Sequence, residues 1–129
     1  TEETRNLLER RIREISTGVS NAYGATCEVS YTSEFEPTIN DADSVEAAIQ
    51  AAIATIGHDN VDPAAEPAMA SEDFGVFSRE VAGCFASIGN GTTPTGGGTP
   101  LHNNTYVFND EILDIGVQYY VQLVRSILK

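Results

Sequence analysis

The chain has 129 residues, of which 41% are hydrophobic and 20% charged, a composition typical of a folded globular protein and not of a disordered one. Nineteen acidic residues against seven basic ones give a net charge of -12, which argues against nucleic acid and anionic membranes as partners. No apolar run approaches the roughly 20 residues of a membrane span. Cys27 and Cys84 form no CxxC pair and no export signal is visible, so we expect a chain in a reducing, cytoplasmic location.

Residues 1–23 are predicted to form the first helix. Its apolar residues recur at steps of four and three, which places them on one stripe of the helix. Thr1 can cap the N-terminus, and Gly24 can end the helix in the left-handed conformation. The stripe consists of Leu8, Ile12, Ile15, Val19 and Ala22.

Two segments carry the pattern of β-strands. Over residues 25–32 apolar and polar side chains alternate, which is typical of a strand with one solvated face. Residues 84–88 are a short apolar run suited to a buried strand. Because two strands are too few for a stable sheet, we expect the chain to belong to something larger or to pair with another copy.

Three more helices are predicted. One covers residues 44–57, after the break at Pro37; Ser71 is expected to cap a short one, and Asn109 or Asp110 the last. The side chains expected to face inward are Phe74, Phe77 and Val81 in the short helix and Leu113, Val117, Tyr120, Val121, Val124 and Ile127 in the last.

Two stretches combine polar side chains with a position between a loop and a helix, where functional residues are common. They are residues 70–74 (ASEDF) and 100–111 (PLHNNTYVFNDE). His102 is the strongest single candidate because a neutral imidazole can bind a transition metal, although a packed or surface histidine is the more frequent case. We assign no function to His58, which follows a helix end and is expected to be solvent-exposed.

Four segments resemble one protein family, in the order in which they occur there. They are residues 1–41, the run ASEDFGVF, the strand GCFASIGNG and the tail PLHNNTYVFNDEILDIGVQYYVQLV. Together they resemble the C-terminal third of the hippurate hydrolase and indole-acetyl-amino-acid hydrolase group, within the aminoacylase and carboxypeptidase G family of dinuclear metallopeptidases. Four motifs over nearly the whole chain are far more specific than any one of them.

The resemblance implies an α/β fold, present here as an α+β fragment. Residues 1–40 would be the C-terminal part of a lid or dimerisation domain, and residues 41–129 the closing section of a zinc-peptidase-like, metal-dependent catalytic domain. The other strands of both domains would lie upstream of Thr1. A homodimer is expected, because the lid mediates dimerisation in the family.

The chemistry that the resemblance implies is hydrolysis of the amide bond of small, hippurate-like N-acyl amino acids by metal-activated water. The complete subunit would hold two zinc or manganese ions. The histidine of the Pro-Leu-His motif is the family's final metal ligand and corresponds to His102. The general-base glutamate and the other ligands belong to upstream motifs, so no catalytic residue is expected in this chain, which should be inactive by itself. In the hippurate hydrolase group the resemblance also implies a cysteine among the metal ligands, and neither Cys27 nor Cys84 corresponds to it.

Ser71, Glu72 and Asp73 correspond to a motif that lines the same cleft. A carboxylate at a helix start could orient a ligand there. Ordinary acidity at a helix N-terminus explains Glu72 and Asp73 equally well.

Gly89 and Gly91, with the glycines at 96–98, can leave room for the carboxylate of a substrate near backbone N–H groups. A flexible surface loop is the alternative for these glycines. For the chain as a whole, the alternative is a non-enzymatic α/β dimerisation or binding module, which would hold no metal.

Overall fold

The computed structural model describes residues 1–93 and 97–128, and these ranges contain four α-helices. The bounds are Glu2–Ala22 for α1, Ala42–Ile56 for α2, Phe74–Glu80 for α3 and Leu113–Ile127 for α4. Short 3-10 turns at His58–Asn60 and Asp110–Ile112 follow α2 and precede α4. The helices predicted from periodicity are confirmed, but the prediction that Ser71 caps the short one is wrong. This helix begins at Phe74, so Ser71 lies too far upstream to be its N-cap. None of the described helices is both long and apolar enough to cross a membrane.

The described residues contain no β-strand, so the predicted α/β (α+β) architecture is not found in them. Residues 25–32 and 84–88, the two predicted strands, lie outside the helices and pair with nothing as strands. A strand obtains its ladder of hydrogen bonds only from a neighbouring strand. Within the described ranges, the nearest approach to a ladder is an isolated bridge between Thr93 and Gly97. Local alternation therefore predicted a capacity for pairing that this chain alone does not satisfy.

The chain divides into two compact units. The first consists of Thr1–Ile39 and Met69–Glu80, and the second of Asn40–Ala68 and the chain from Val81 onward. Helices α1 and α3 belong to the first unit, whereas α2 and α4 belong to the second. The assignment of residues 1–40 to a lid and 41–129 to a catalytic domain stays a prediction.

Two arginines of α1 fix the course of the segment that follows the helix. Arg13 donates from Nη1 to the Val29 carbonyl at 2.7 Å, and Arg5 donates from Nη1 to the Phe35 carbonyl at 2.7 Å. Because the later carbonyl bonds to the earlier arginine, the segment runs back along α1. Val29 and Tyr31 are half-buried in this arrangement, so the alternation of the sequence survives as an alternation in burial.

Glu36 joins this segment to α3. Its carboxylate lies 3.6 Å from Nη1 of Arg5 and 3.3 Å from Nη1 of Arg79 in α3. Gly75 is buried against the same place, and a Cβ atom built on it would overlap the Glu36 carbonyl oxygen. The close approach of α3 to the backbone at Glu36 therefore depends on a glycine at position 75.

The apolar stripe of α1 faces away from these contacts. The half-buried residues of α1 lie on its other side and are Arg5, Glu9, Ser16 and Ser20. Ile15, at the centre of the stripe, is 58% exposed, and Leu8, Ile12 and Val19 are also exposed. Within the described part of the chain, α1 is thus held by polar contacts and its apolar face is uncovered.

The second unit is built on the packing of α2 against α4. Ala48 and Ala51 of α2 and Ile112, directly before α4, are the buried hydrophobic residues of the described chain. Asp41 caps α2 through its side chain, and Gly57 ends the helix with a φ of 80°. Small side chains on α2 allow its partner helix to approach closely.

The prediction of which side chains of α3 and α4 point inward is wrong. Val117 is 64% exposed, and the rest of the predicted α4 face is exposed with it: Leu113, Tyr120, Val121, Val124 and Ile127. The covered side chains of this region are Ile112, Ile115, Tyr119, Gln122 and Leu123, on the opposite side of the helix. Phe77 and Val81 are exposed as well, and only Phe74 of that predicted set is half-buried. The physical reason is that α4 is apolar on two sides, so its composition does not determine which side packs on α2.

Substitution of Gly75 by Ala is expected to destabilise the first unit. The added Cβ would overlap the Glu36 carbonyl, so the backbone must shift, at about 1–3 kcal/mol. Gly18→Ala is the matched control, because a Cβ at position 18 of α1 meets no atom within 4 Å. Loss of a glycine from a helix interior should stabilise by about 1 kcal/mol. Thermal unfolding of the two variants provides the measurement. A melting temperature of Gly75→Ala equal to that of Gly18→Ala would contradict the close approach of α3 to Glu36.

Asp41 is expected to make stability depend on pH. Hydrogen bonds from Ser44, first from its backbone N–H at 2.9 Å and then from its hydroxyl at 2.9 Å, hold the pKa of the Asp41 carboxyl below its ordinary value of 3.8. A carboxyl whose pKa is lowered by folding stabilises the fold above its unfolded pKa, and this contribution is lost as the pH falls through the folded value.

The Asp41→Asn variant keeps a capping acceptor and cannot ionise. We expect the melting temperature of the wild type to fall relative to that of the variant between about pH 5 and about pH 2. Paired thermal melts across this range provide the measurement. A difference that is constant with pH would show that the charge of Asp41 is not stabilised by Ser44.

Candidate functional site

Ser71, Glu72 and Asp73 lie at the start of α3 in the first unit, and all three are exposed. Oε1 of Glu72 accepts a hydrogen bond from the Phe74 backbone N–H at 3.4 Å. This is what a carboxylate at the beginning of any helix does, since the first N–H groups have no partner within the helix. A role for these residues in a substrate pocket stays a prediction.

Gly89, Gly91 and His102 belong to the second unit. A Cβ atom on Gly89 would meet nothing within 4 Å, so this glycine leaves open space around the backbone. Gly91 has a φ of 120°, which residues with a side chain rarely adopt. Of the glycines predicted to join them, Gly96 lies outside the described residues.

His102 occupies the third position of a tight turn. The turn is closed by the Asn103 N–H, which donates to the Pro100 carbonyl at 3.3 Å. His102 has a φ of 66°, and no other non-glycine residue in the described ranges has a positive φ. Turns with a positive φ at this position usually have Gly or Asn there, because a Cβ atom disfavours the conformation. Unfavourable backbone geometry of this kind is concentrated at functional sites.

The polar residues that follow His102 order its segment locally. Oδ1 of Asn103 accepts hydrogen bonds from the Thr105 backbone N–H at 2.9 Å and from the Thr105 hydroxyl at 2.8 Å. The Tyr106 N–H donates to the Asn103 carbonyl at 3.0 Å. The imidazole of His102 is exposed at the first of two successive turns.

Asn90 is a residue that sequence reasoning did not single out. Its Nδ2 donates to the carbonyls of Gly97, at 3.1 Å, and Val107, at 2.9 Å. Its Oδ1 accepts from the Asn109 N–H at 2.8 Å. One half-buried amide therefore joins three backbone positions around the His102 segment. The available signal was an asparagine between two glycines, since Asn side chains commonly bond to backbone in such loops.

The two cysteines are free thiols in different environments. Cys27 is exposed, whereas Cys84 is half-buried in the second unit. Burial raises the pKa of the Cys84 thiol, and burial, followed by the nearby Cys84, raises the pKa of Tyr119. Because the thiolate is the reactive form, burial makes the Cys84 thiol less reactive than a solvent-exposed one.

The described residues do not by themselves form a metal site. Nowhere in residues 1–93 and 97–128 do three His, Cys, Asp or Glu side chains come close enough to hold an ion. A zinc site needs at least three protein ligands, and His102 can offer one neutral nitrogen. Any metal bound through His102 would need its remaining ligands from elsewhere.

The chain belongs to peptidase family M20/M25/M40, whose sequence model matches residues 3–126. This is a family of hydrolases that are generally metal-dependent. The family resemblance predicted from the four sequence segments is confirmed by this match.

Hippurate hydrolase of Campylobacter jejuni is 32% identical over 127 residues, which cover 98% of this chain and 32% of that protein. N-acetylcysteine deacetylase of Bacillus subtilis is 27% identical over 127 residues, covering 98% of this chain and 31% of that protein. Thermostable carboxypeptidase 1 of Saccharolobus solfataricus is 24% identical over 115 residues, covering 89% of this chain and 28% of that protein. The chain thus spans about a third of the length of the curated relatives it matches. No solved structure matches it significantly.

Proposed function

We propose that this chain is the C-terminal section of a metal-dependent amidohydrolase that cleaves the amide bond of N-acyl amino acids. The observation that carries the proposal is the match of nearly the whole chain to hippurate hydrolase within a family of hydrolases. Hippurate and N-acetylcysteine, in the names of two relatives, are both N-acyl amino acids. We propose a hippurate-like substrate for the complete enzyme and no activity for the chain alone.

His102 is the residue through which this chain would contribute to the metal centre. Its exposed imidazole and left-handed backbone, at a turn after a glycine-rich loop, support this role. The other ligands and the general-base carboxylate would come from parts of the enzyme outside this sequence. Two zinc or manganese ions would supply polarisation of the amide carbonyl and a lowered pKa of water. Ser71, Glu72, Asp73, Gly89 and Gly91 would lie along the substrate pocket.

The architecture proposed for the complete enzyme assigns residues 1–40 to a lid and residues 41–129 to the catalytic domain. Residues 25–32 and 84–88 would then gain strand partners in the sheets of an α/β protein. The free thiols of Cys27 and Cys84 support a reducing location such as the cytoplasm.

The role of His102 is tested by His102→Ala in the complete enzyme. Removal of the coordinating nitrogen should abolish most hydrolysis of an N-acyl amino acid such as hippurate and release metal. Turnover and metal content are measured on the same preparations. Full metal content with normal turnover would show that position 102 is not a ligand.

The control variant is His58→Ala. The His58 side chain is 84% exposed and lies 3.5 Å from the carboxylate of Asp59, with no part in the proposed site. Its removal should change the free energy of unfolding by no more than about 0.5 kcal/mol and leave turnover unchanged. A comparable loss of activity in both variants would point to general instability and against a ligand role for His102.

We also propose that the enzyme is a homodimer that associates through the first unit. Residues 25–32 have no strand partner in the described chain, and the apolar stripe of α1 is uncovered. An unpaired strand segment beside an apolar face favours association. Sedimentation of the complete enzyme over a concentration series should show a dimer. A stable monomer at high concentration would contradict the proposal.

A further inference from the structure

The amide of Asn90 makes three hydrogen bonds, all to backbone groups that are distant in sequence. Both bonds from Nδ2 go to carbonyls, those of Gly97 and Val107, and Oδ1 accepts from the N–H of Asn109. The three partners lie 7, 17 and 19 positions along the chain. Such bonds do not set the conformation of a single turn. They hold the beginning and the end of one loop next to the same side chain.

The segment closed in this way is the one that carries His102. Gly97 lies at its start, and Val107 and Asn109 lie at its end, directly before the 3-10 turn that leads into α4. Between these ends the two turns at residues 100–103 and 103–106 place His102. Both ends of the segment that carries the imidazole are therefore bonded to one amide.

Two glycines make room for this closure. Gly97 is buried with a φ of 82°, and a Cβ on it would overlap the backbone carbonyl of Asn90. A Cβ on Gly98 would lie 2.5 Å from the carbonyl carbon of Thr92. The backbone on either side of the loop is therefore in direct contact, which only glycine permits at these positions.

We propose that Asn90 is the positioning residue for His102, and this inference rests on the proposed function. Asn90 acts by holding both ends of residues 97–109, so that the imidazole is presented in one direction. A misplaced ligand or reacting group lowers the rate of the chemical step more than it lowers substrate binding. The predicted signature is a loss of kcat with little change in KM.

Asn40 provides a matched control in the same unit. Its amide also bonds to backbone at long range, with Nδ2 donating to the Phe85 carbonyl at 3.0 Å and Oδ1 accepting from the Phe85 N–H at 2.8 Å. It makes no bond to residues 97–109. Asn40→Ala therefore removes a comparable structural link and leaves the His102 segment intact.

The experiment compares Asn90→Ala, Asn40→Ala and His102→Ala in the complete enzyme, by hydrogen exchange of residues 97–109 and by kcat and KM with hippurate. Asn90→Ala should speed exchange in that segment about tenfold and lower kcat roughly 10- to 100-fold. Asn40→Ala should leave both within about twofold of the wild type. Asn90→Asp keeps the bond to Asn109 and loses both donated bonds, so it should show the same signature if Asn90→Ala does not fold.

Unchanged exchange in residues 97–109, or a loss of kcat no greater in the Asn90 variants than in Asn40→Ala, would overturn the positioning role. Such a result with an inactive His102→Ala enzyme would leave the proposed function standing. A fully active His102→Ala enzyme would instead remove the ligand role of His102, which is the part of the proposed function on which this inference rests, whatever the Asn90 variants do.

Discussion

Hydrogen bonds to backbone groups are the interactions that hold the non-helical parts of this chain in place. In the described residues no neighbouring strand supplies them, and side chains do so instead. Arg13 donates to the Val29 carbonyl, the Asn40 amide bonds to both backbone groups of Phe85, and Asn90 bonds to three backbone positions. An asparagine amide offers the same donor and acceptor as a peptide unit, so it can take the place that a neighbouring strand would fill.

The helices could be predicted from sequence because their determinants are local. The cap at Asp41 and the stop at Gly57 lie within a few residues of the helix they define, and the apolar spacing of α2 repeats over its whole length. The packed face of α4 could not be predicted, because Ile115 and Leu123 on one side and Val117 on the other are equally apolar. The choice between the sides depends on α2, which is distant in sequence.

The candidate site was predictable in part for the same physical reason. A histidine after a glycine-rich loop can be read from the sequence, and so can the acidic start of α3. The three bonds of Asn90 join residues up to 19 positions apart, which periodicity does not encode. The left-handed conformation of His102 could not be predicted from its residue type, because such turn positions usually have Gly or Asn. Pairing of residues 25–32 and 84–88 as strands also depends on residues distant in sequence. The alternation of the first segment and the apolar run of the second therefore indicate a preference for the strand conformation but do not identify a partner.

The distribution of charge restricts how this chain could contribute to recognition of an anionic substrate. All five arginines of the first unit lie beside carboxylates. Arg5 and Arg79 pair with Glu36, and Arg13 pairs with Glu9. Arg10 and Arg11 both pair with Glu14. In the second unit the basic residues are Arg125 and Lys129, both at the C-terminal end of the chain and distant in sequence from His102. An N-acyl amino acid carries a carboxylate, and a chain with a net charge of -12 repels it. Within the proposed function, we therefore expect a cation that binds this carboxylate to come from outside this sequence, while the glycine-rich loop can offer backbone N–H groups.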